Sequence, residues 1–134
     1  MSVANLSFLR RVLAVDAGSS VSMGVLVLAF ADGLGNLLQL PAALLQESGL
    51  ILVPFAAAVG FLASRAQPAR WAVRIVIAAN VIWAVDSTIL LFTDWVQPNA
   101  LGIAFVVAQA VVVGVLAELE IIGLSRAKAL PARG

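Results

Sequence analysis

The chain reads as an all-α polytopic membrane protein, a four-helix bundle made of two in-out-in hairpins, and three observations predict this. It is 63% hydrophobic and only 11% charged, with mean hydropathy +1.09, far above an ordinary soluble domain. Four apolar stretches of about 20 residues, each long enough to span the hydrocarbon of a bilayer, take up most of its 134 residues. All eight basic residues also fall on one side of such a membrane. Arg10 and Arg11 precede the first stretch, Arg65, Arg70 and Arg74 surround the gap between the second and third, and Arg126, Lys128 and Arg133 follow the fourth. The other two gaps carry only Asp32 and Asp94. Lys and Arg stay on the cytoplasmic side, so both termini are expected there. With loops too short for a separate domain, residues 1–134 form a single transmembrane domain.

The first span is expected at about 12–30, entered through Leu9-Arg10-Arg11. This region also matches a cleavable signal peptide ending in Ala29-Phe30-Ala31. Its length, and Asp16, Ser19, Ser20 and Ser22 within it, favour a retained span. Asp32-Gly33-Leu34-Gly35-Asn36 reads as a turn, followed by Leu37 to Leu40 at the interface. Pro41, at a favourable first helical position, opens a second span over 42–63. Arg65, Gln67 and Pro68 make the cytoplasmic turn, and the third span covers 71–92 with Trp71 and Trp95 as interfacial anchors. Pro98 breaks the outer turn, the fourth span covers 99–124, and Arg126 to Gly134 form a short mobile basic tail.

The halves echo each other. Leu28-Ala29-Phe30-Ala31-Asp32 parallels Leu90-Leu91-Phe92-Thr93-Asp94, and the halves close on Ser64-Arg65-Ala66 and Ser125-Arg126-Ala127. The alternatives are a parallel tandem repeat about an axis along the membrane normal and coincidence in a biased composition. Small residues mark close helix contacts in lipid. Ala56, Gly60 and Ser64, Ser20 and Gly24, and Ala110 and Gly114 are such stripes, either for packing within the chain or for a homodimer seam. Pro54 interrupts the second span, as a tolerated kink or as the source of a free carbonyl.

With no Cys, His or Tyr, disulfides, thiolate or imidazole metal sites and His- or Cys-based catalysis are excluded. No metal site and no cofactor is expected. Ser and Asp are present, but Lys128 is the single lysine and lies in the tail, so no base-activated nucleophile assembles and the chain is not expected to be an enzyme. Charged groups at membrane depth are functional candidates by default. Glu47 and Asp86 both fall roughly 9 Å below the outer interface and are expected to face each other; one should hold a proton, or a cation should bridge them. Asn80, Trp83, Asp86 and Ser87 lie within an arc of about 120°, a candidate binding or coupling site with Glu47 and Gln109. Hydrogen-bonded glue is the competing role. Toward the cytoplasm, Asp16 one turn inside the first helix (with Ser19 and Ser20 on its face), Arg74, Glu118 and Glu120 form a charge cluster expected to pair in salt bridges or snorkel to headgroups. Glu120 shares a face with Gln109, about 20° apart, whereas Glu118 points away, so Glu120 is the better interior candidate.

Leu40-Pro41-Ala42-Ala43-Leu44-Leu45, the Asn80, Trp83, Asp86, Ser87 set, Leu101-Gly102, Ala108-Gln109-Ala110 and Leu119-Glu120 resemble a group of small bacterial four-helix integral membrane proteins with no established activity. The resemblance covers nearly the whole chain and implies a bacterial inner (plasma) membrane. Asp16 superficially resembles the acidic residue of small multidrug transporters, but their aromatic pattern is missing. Membrane-associated glutathione-utilising enzymes need a Tyr that this chain lacks. The expected function is a non-enzymatic accessory, scaffold or membrane-embedded binding subunit. The alternative is a small oligomeric proton-linked transporter using intramembrane carboxylates. Expected partners are the lipid bilayer and either another membrane protein or further copies of the chain, with no nucleic acid.

Overall fold

The structure is a computed structural model that describes residues 2–128, with side chains from 6 to 127. It is all-α, with no strand among the described residues. The helices are α1 (Ser2–Ala29), α2 (Ala31–Leu38), α3 (Ala42–Ser64), α4 (Arg70–Leu90) and α5 (Ala100–Lys128). Four of them hold stretches of 21 to 28 residues that are long and apolar enough to cross a membrane: Leu6–Ala29, Ala42–Ser64, Arg70–Leu90 and Ala100–Ala127. At 1.5 Å per residue these reach roughly 31–42 Å, enough for a hydrocarbon core of about 30 Å. Their outer faces expose Val, Ile, Leu and Phe in long runs, including Val25, Ile51, Phe61 and Val111, as lipid-facing helices do.

Two helix ends and one turn depart from the sequence expectation by more than two residues. α1 begins ten residues early, at Ser2, because Leu9 and Leu13 are buried in a core with Val59, Val73 and Leu124. The segment around Asp32 is helical, because Ala31, Gly35 and Leu38, at helical spacing, make a buried face. A Cβ on Gly35 would come within 2.8 Å of the Leu40 carbonyl. Gln39, at φ 57°, ends α2 in the left-handed conformation, and Leu40 N–H donates to Gly35 O at 3.0 Å. At the other end α5 continues to Lys128, so Arg126 is helical and its guanidinium lies 5.0 Å over the Phe8 ring. The remaining tail, 129–134 with Arg133, lies outside the described residues.

Asn99 starts α5. Its Oδ1 accepts from Gly102 N–H at 2.8 Å, a regular N-cap bond, while its Nδ2 donates to Leu37 O at 2.8 Å and its N–H to Leu38 O at 3.2 Å. One side chain thereby fixes the start of α5 against the end of α2. On the other side of the molecule, Arg10 Nε donates to Ala63 O at 3.0 Å, filling an end carbonyl of α3.

The helices associate as two tight pairs, α1 with α3 and α4 with α5, joined along α1 and α5. α3 and α4 scarcely touch, although only 65–69 separate them in sequence. α1 and α3 approach closely where two glycines meet: a Cβ on Gly49 would approach Gly24 O to 2.8 Å. A Cβ on Gly60 would meet Ala17 at an ordinary 3.7 Å, and Gly114 faces nothing within 4 Å. The small-residue stripe on α1 therefore packs within the chain, whereas Gly114 on α5 does not. Pro54 lies on an exposed face of α3, which runs through it uninterrupted. Two apolar clusters fill the interior. One gathers Leu9, Leu13, Val59, Val73 and Leu124; the other gathers Val27, Leu38, Leu45, Val96 and Val106.

Candidate functional site

Between these two clusters along α1, α4 and α5 comes a layer of buried polar side chains: Asp16, Ser20, Asn80 and Glu120. Each occupies a position that its helix otherwise gives to apolar residues. On α4, Val73, Val76 and Asn80 share the inner face, and on α5 Leu116, Glu120, Leu124 and Ala127 do. Asn80 is the middle residue of α4, ten from either end. Asp16 was expected one turn inside its helix, but with the span counted from Leu6 it lies ten residues in, about 15 Å along the axis.

Asn80 is the hub. Its Nδ2 donates to Asp16 Oδ2 at 2.7 Å and to Glu120 Oε1 at 2.8 Å, so both hydrogens of one amide serve two different carboxyl groups on two different helices. Ser20 Oγ donates to Asp16 Oδ1 at 3.2 Å from one turn away. Glu120 is fully buried, and its Oε2 has no hydrogen-bond partner. The two carboxyl groups accept from the same nitrogen, which brings them close together, yet two ionised carboxylates have no donor to exchange. The backbones of α1 and α4 do not pack directly among the described residues; the Asn80 amide crosses that gap.

The charge cluster expected toward the cytoplasm is thus divided. Asp16 and Glu120 meet in the interior, with an amide and a hydroxyl as hydrogen-bond donors, whereas Arg74 and Glu118 are exposed. The polar arc on α4 is divided too. Asn80 turns inward; Trp83 Nε1 donates to Gln109 Oε1 at 2.9 Å, tying α4 to α5 a turn further on. Gln109 Nε2 donates to Val106 O, and Ser87 Oγ donates back to Trp83 O at 2.7 Å. Gln109 and Glu120, on one face of α5, both reach α4.

Glu47 and Asp86 are exposed and line a groove of about 780 Å³ from opposite walls, Glu47 on α3 and Asp86 on α4. The groove exists because α3 and α4 stay apart. Trp83, Ser87, Ser48 and Trp95 share its lining, and no Lys or Arg does. A second cavity, about 240 Å³, is bounded by Ser19, Ser20, Met23, Trp83, Phe105 and Gln109. Trp83 lines both spaces.

Sequence reasoning named Asp16, Asn80 and Glu120 but did not join them; of Ser19 and Ser20, which it placed on the face of Asp16, Ser20 is the one that bonds the carboxyl group. The signal available was the phase of each polar residue within an apolar seam. Among the described residues, no three carboxylate, imidazole or thiol groups gather in a metal-binding arrangement. Comparison of the chain with protein-family models, curated proteins and solved structures finds no match.

Proposed function

We propose that the chain is a non-enzymatic, membrane-embedded binding subunit whose ligand is a cationic amphiphile held in the groove between α3 and α4. It sits in a bacterial inner membrane as one bundle of two in-out-in hairpins, both termini cytoplasmic. The groove carries the reading. Its volume of about 780 Å³ falls in the range of small-molecule sites, and a mainly apolar lining with a few placed polar groups is what such sites use. Glu47 and Asp86 supply negative charge, and the faces of Trp83 and Trp95 suit an ammonium group. Opening to the lipid admits the alkyl part directly from the bilayer. The orientation rests on the one-sided distribution of the basic residues.

The test uses the full chain in lipid nanodiscs, with dodecyltrimethylammonium as probe and tryptophan fluorescence as readout. Saturable binding is expected, weakened at least tenfold, or about 1.4 kcal/mol, by Asp86→Asn. A neutral amphiphile of equal chain length should not compete. Equal binding of the neutral compound, or binding indifferent to Asp86→Asn, refutes the reading. Native mass spectrometry from the source membrane separates the rival roles: a stoichiometric foreign subunit makes the groove a protein-docking surface. The proton-linked carrier would require a homo-oligomer, with pH-jump currents lost in Asp86→Asn.

A further inference from the structure

We infer that Asp16 and Glu120 form an intramembrane proton-binding site, one proton shared between two carboxyl groups and held in register by the Asn80 amide. The inference is independent of the groove and stands on three observations. The first is donor arithmetic. Two carboxylates carry four oxygens; Asn80 and Ser20 donate to three of them, and Glu120 Oε2 has no partner although Glu120 is 0% exposed. A buried oxygen of this kind ordinarily has a partner. A proton supplies one, because a protonated carboxyl becomes a donor toward its neighbour.

The second is charge. Two negative groups on one amide repel strongly in a low-dielectric interior, and a single proton relieves the repulsion, as in any close carboxyl pair. Among the described side chains, the charged groups elsewhere on the packed elements have other partners, line the groove or are exposed. On α1, Arg10 is bonded to Ala63 O and Arg11 is exposed. On α2, Asp32 is exposed. On α3, Arg65 lies over the Phe61 ring and Glu47 faces the groove. On α4, Arg70 reaches Ala127 O, Arg74 is exposed and Asp86 faces the groove. On α5, Glu118 is exposed and Arg126 stacks on Phe8.

The third is access. Ser20, which donates to Asp16, is also part of the wall of the 240 Å³ cavity. A water there would reach the pair through one hydroxyl. The step is a plain proton transfer: hydronium gives its proton to a carboxylate oxygen, leaving water and a carboxylic acid, with no oxidation or reduction.

Infrared difference spectroscopy on the full chain in nanodiscs, in sodium-free buffer, tests the site. Wild type should show the carbonyl band of a protonated carboxylic acid at neutral pH, lost as the pH is raised. Glu120→Gln should remove it and Asp86→Asn should leave it. Should Glu120→Gln fail to assemble, Glu47→Gln/Glu118→Gln leaves Glu120 as the sole glutamate of the chain, and the band must persist. Absence of the band in wild type, its loss in that double variant, or its survival in a folded Glu120→Gln overturns the inference. A band abolished by stoichiometric sodium at constant pH also overturns it, in favour of a monovalent cation site.

Discussion

Replacing Asn80 with Leu tests the polar layer most directly, since the two side chains are similar in size and the change removes donors more than volume. Asn80 makes two bonds between helices, at 2.7 and 2.8 Å. Interhelical hydrogen bonds in membranes are worth about 0.6 kcal/mol on average and up to ~1.7, which gives about 1–3 kcal/mol for the two. The larger effect falls on what remains: Asp16 Oδ2 and Glu120 Oε1 lose their donor in a buried layer, at about 1–3 kcal/mol each. Taking the low end, because chains unfolded within lipid also find partners, Asn80→Leu should destabilise by about 3–5 kcal/mol, as expected when one member of a buried polar set is removed. Reversible unfolding in mixed detergent micelles, or steric trapping in bicelles, measures it. The triple variant Asp16→Leu/Asn80→Leu/Glu120→Met, which leaves neither carboxyl group orphaned, should recover at least about 2 kcal/mol of the loss. A single variant within about 0.5 kcal/mol of wild type, or a triple no better than the single, refutes this account of the layer.

Gly49→Ala should destabilise by about 1–3 kcal/mol through its clash with Gly24 O; Gly60→Ala, where a Cβ fits, should be neutral or gain up to about 1 kcal/mol in the same unfolding assay. Asn99→Ala, which removes the cap of α5 and its tie to α2, should cost about 0.5–2 kcal/mol and speed hydrogen exchange at Gly102; unchanged exchange would contradict the capping role. Because the chain has no cysteine, single cysteines report topology cleanly. Gly33→Cys should react with an impermeant maleimide from outside intact cells and Ala66→Cys only after lysis, and the reverse pattern would invert the proposed orientation.

The four long apolar helices were legible because length and hydropathy are local properties. Their neighbours were not. In water an amphipathic stripe reveals the buried face, but lipid is as apolar as a protein core, so Leu9 and Leu13, which face the interior, and Val15, which does not, look alike in sequence. This hid the early start of α1 and placed Asp16 too near its end. The turn read at Asp32 to Asn36 followed the two glycines, whereas the buried face of Ala31, Gly35 and Leu38 decided the conformation. Asn80 and Gln109 were recognisable as polar residues in apolar helices. That one bonds with Asp16 and Glu120 and the other with Trp83 depends on which helices meet, a long-range property the sequence does not display.

The hub has a consequence for biosynthesis. Asn80 follows Asp16 by 64 residues, and Glu120 follows Asn80 by another 40. At roughly 5–20 residues per second, Asp16 is translated on the order of 5–20 s before its last partner. An aspartate at helix-centre depth opposes insertion by about 2.5–3.5 kcal/mol. Of its hydrogen-bond partners, only Ser20 belongs to the same helix, so it is the one available at once. The nascent chain carries its own temporary solvation for the charge, and Ser20 serves Asp16 before the fold does.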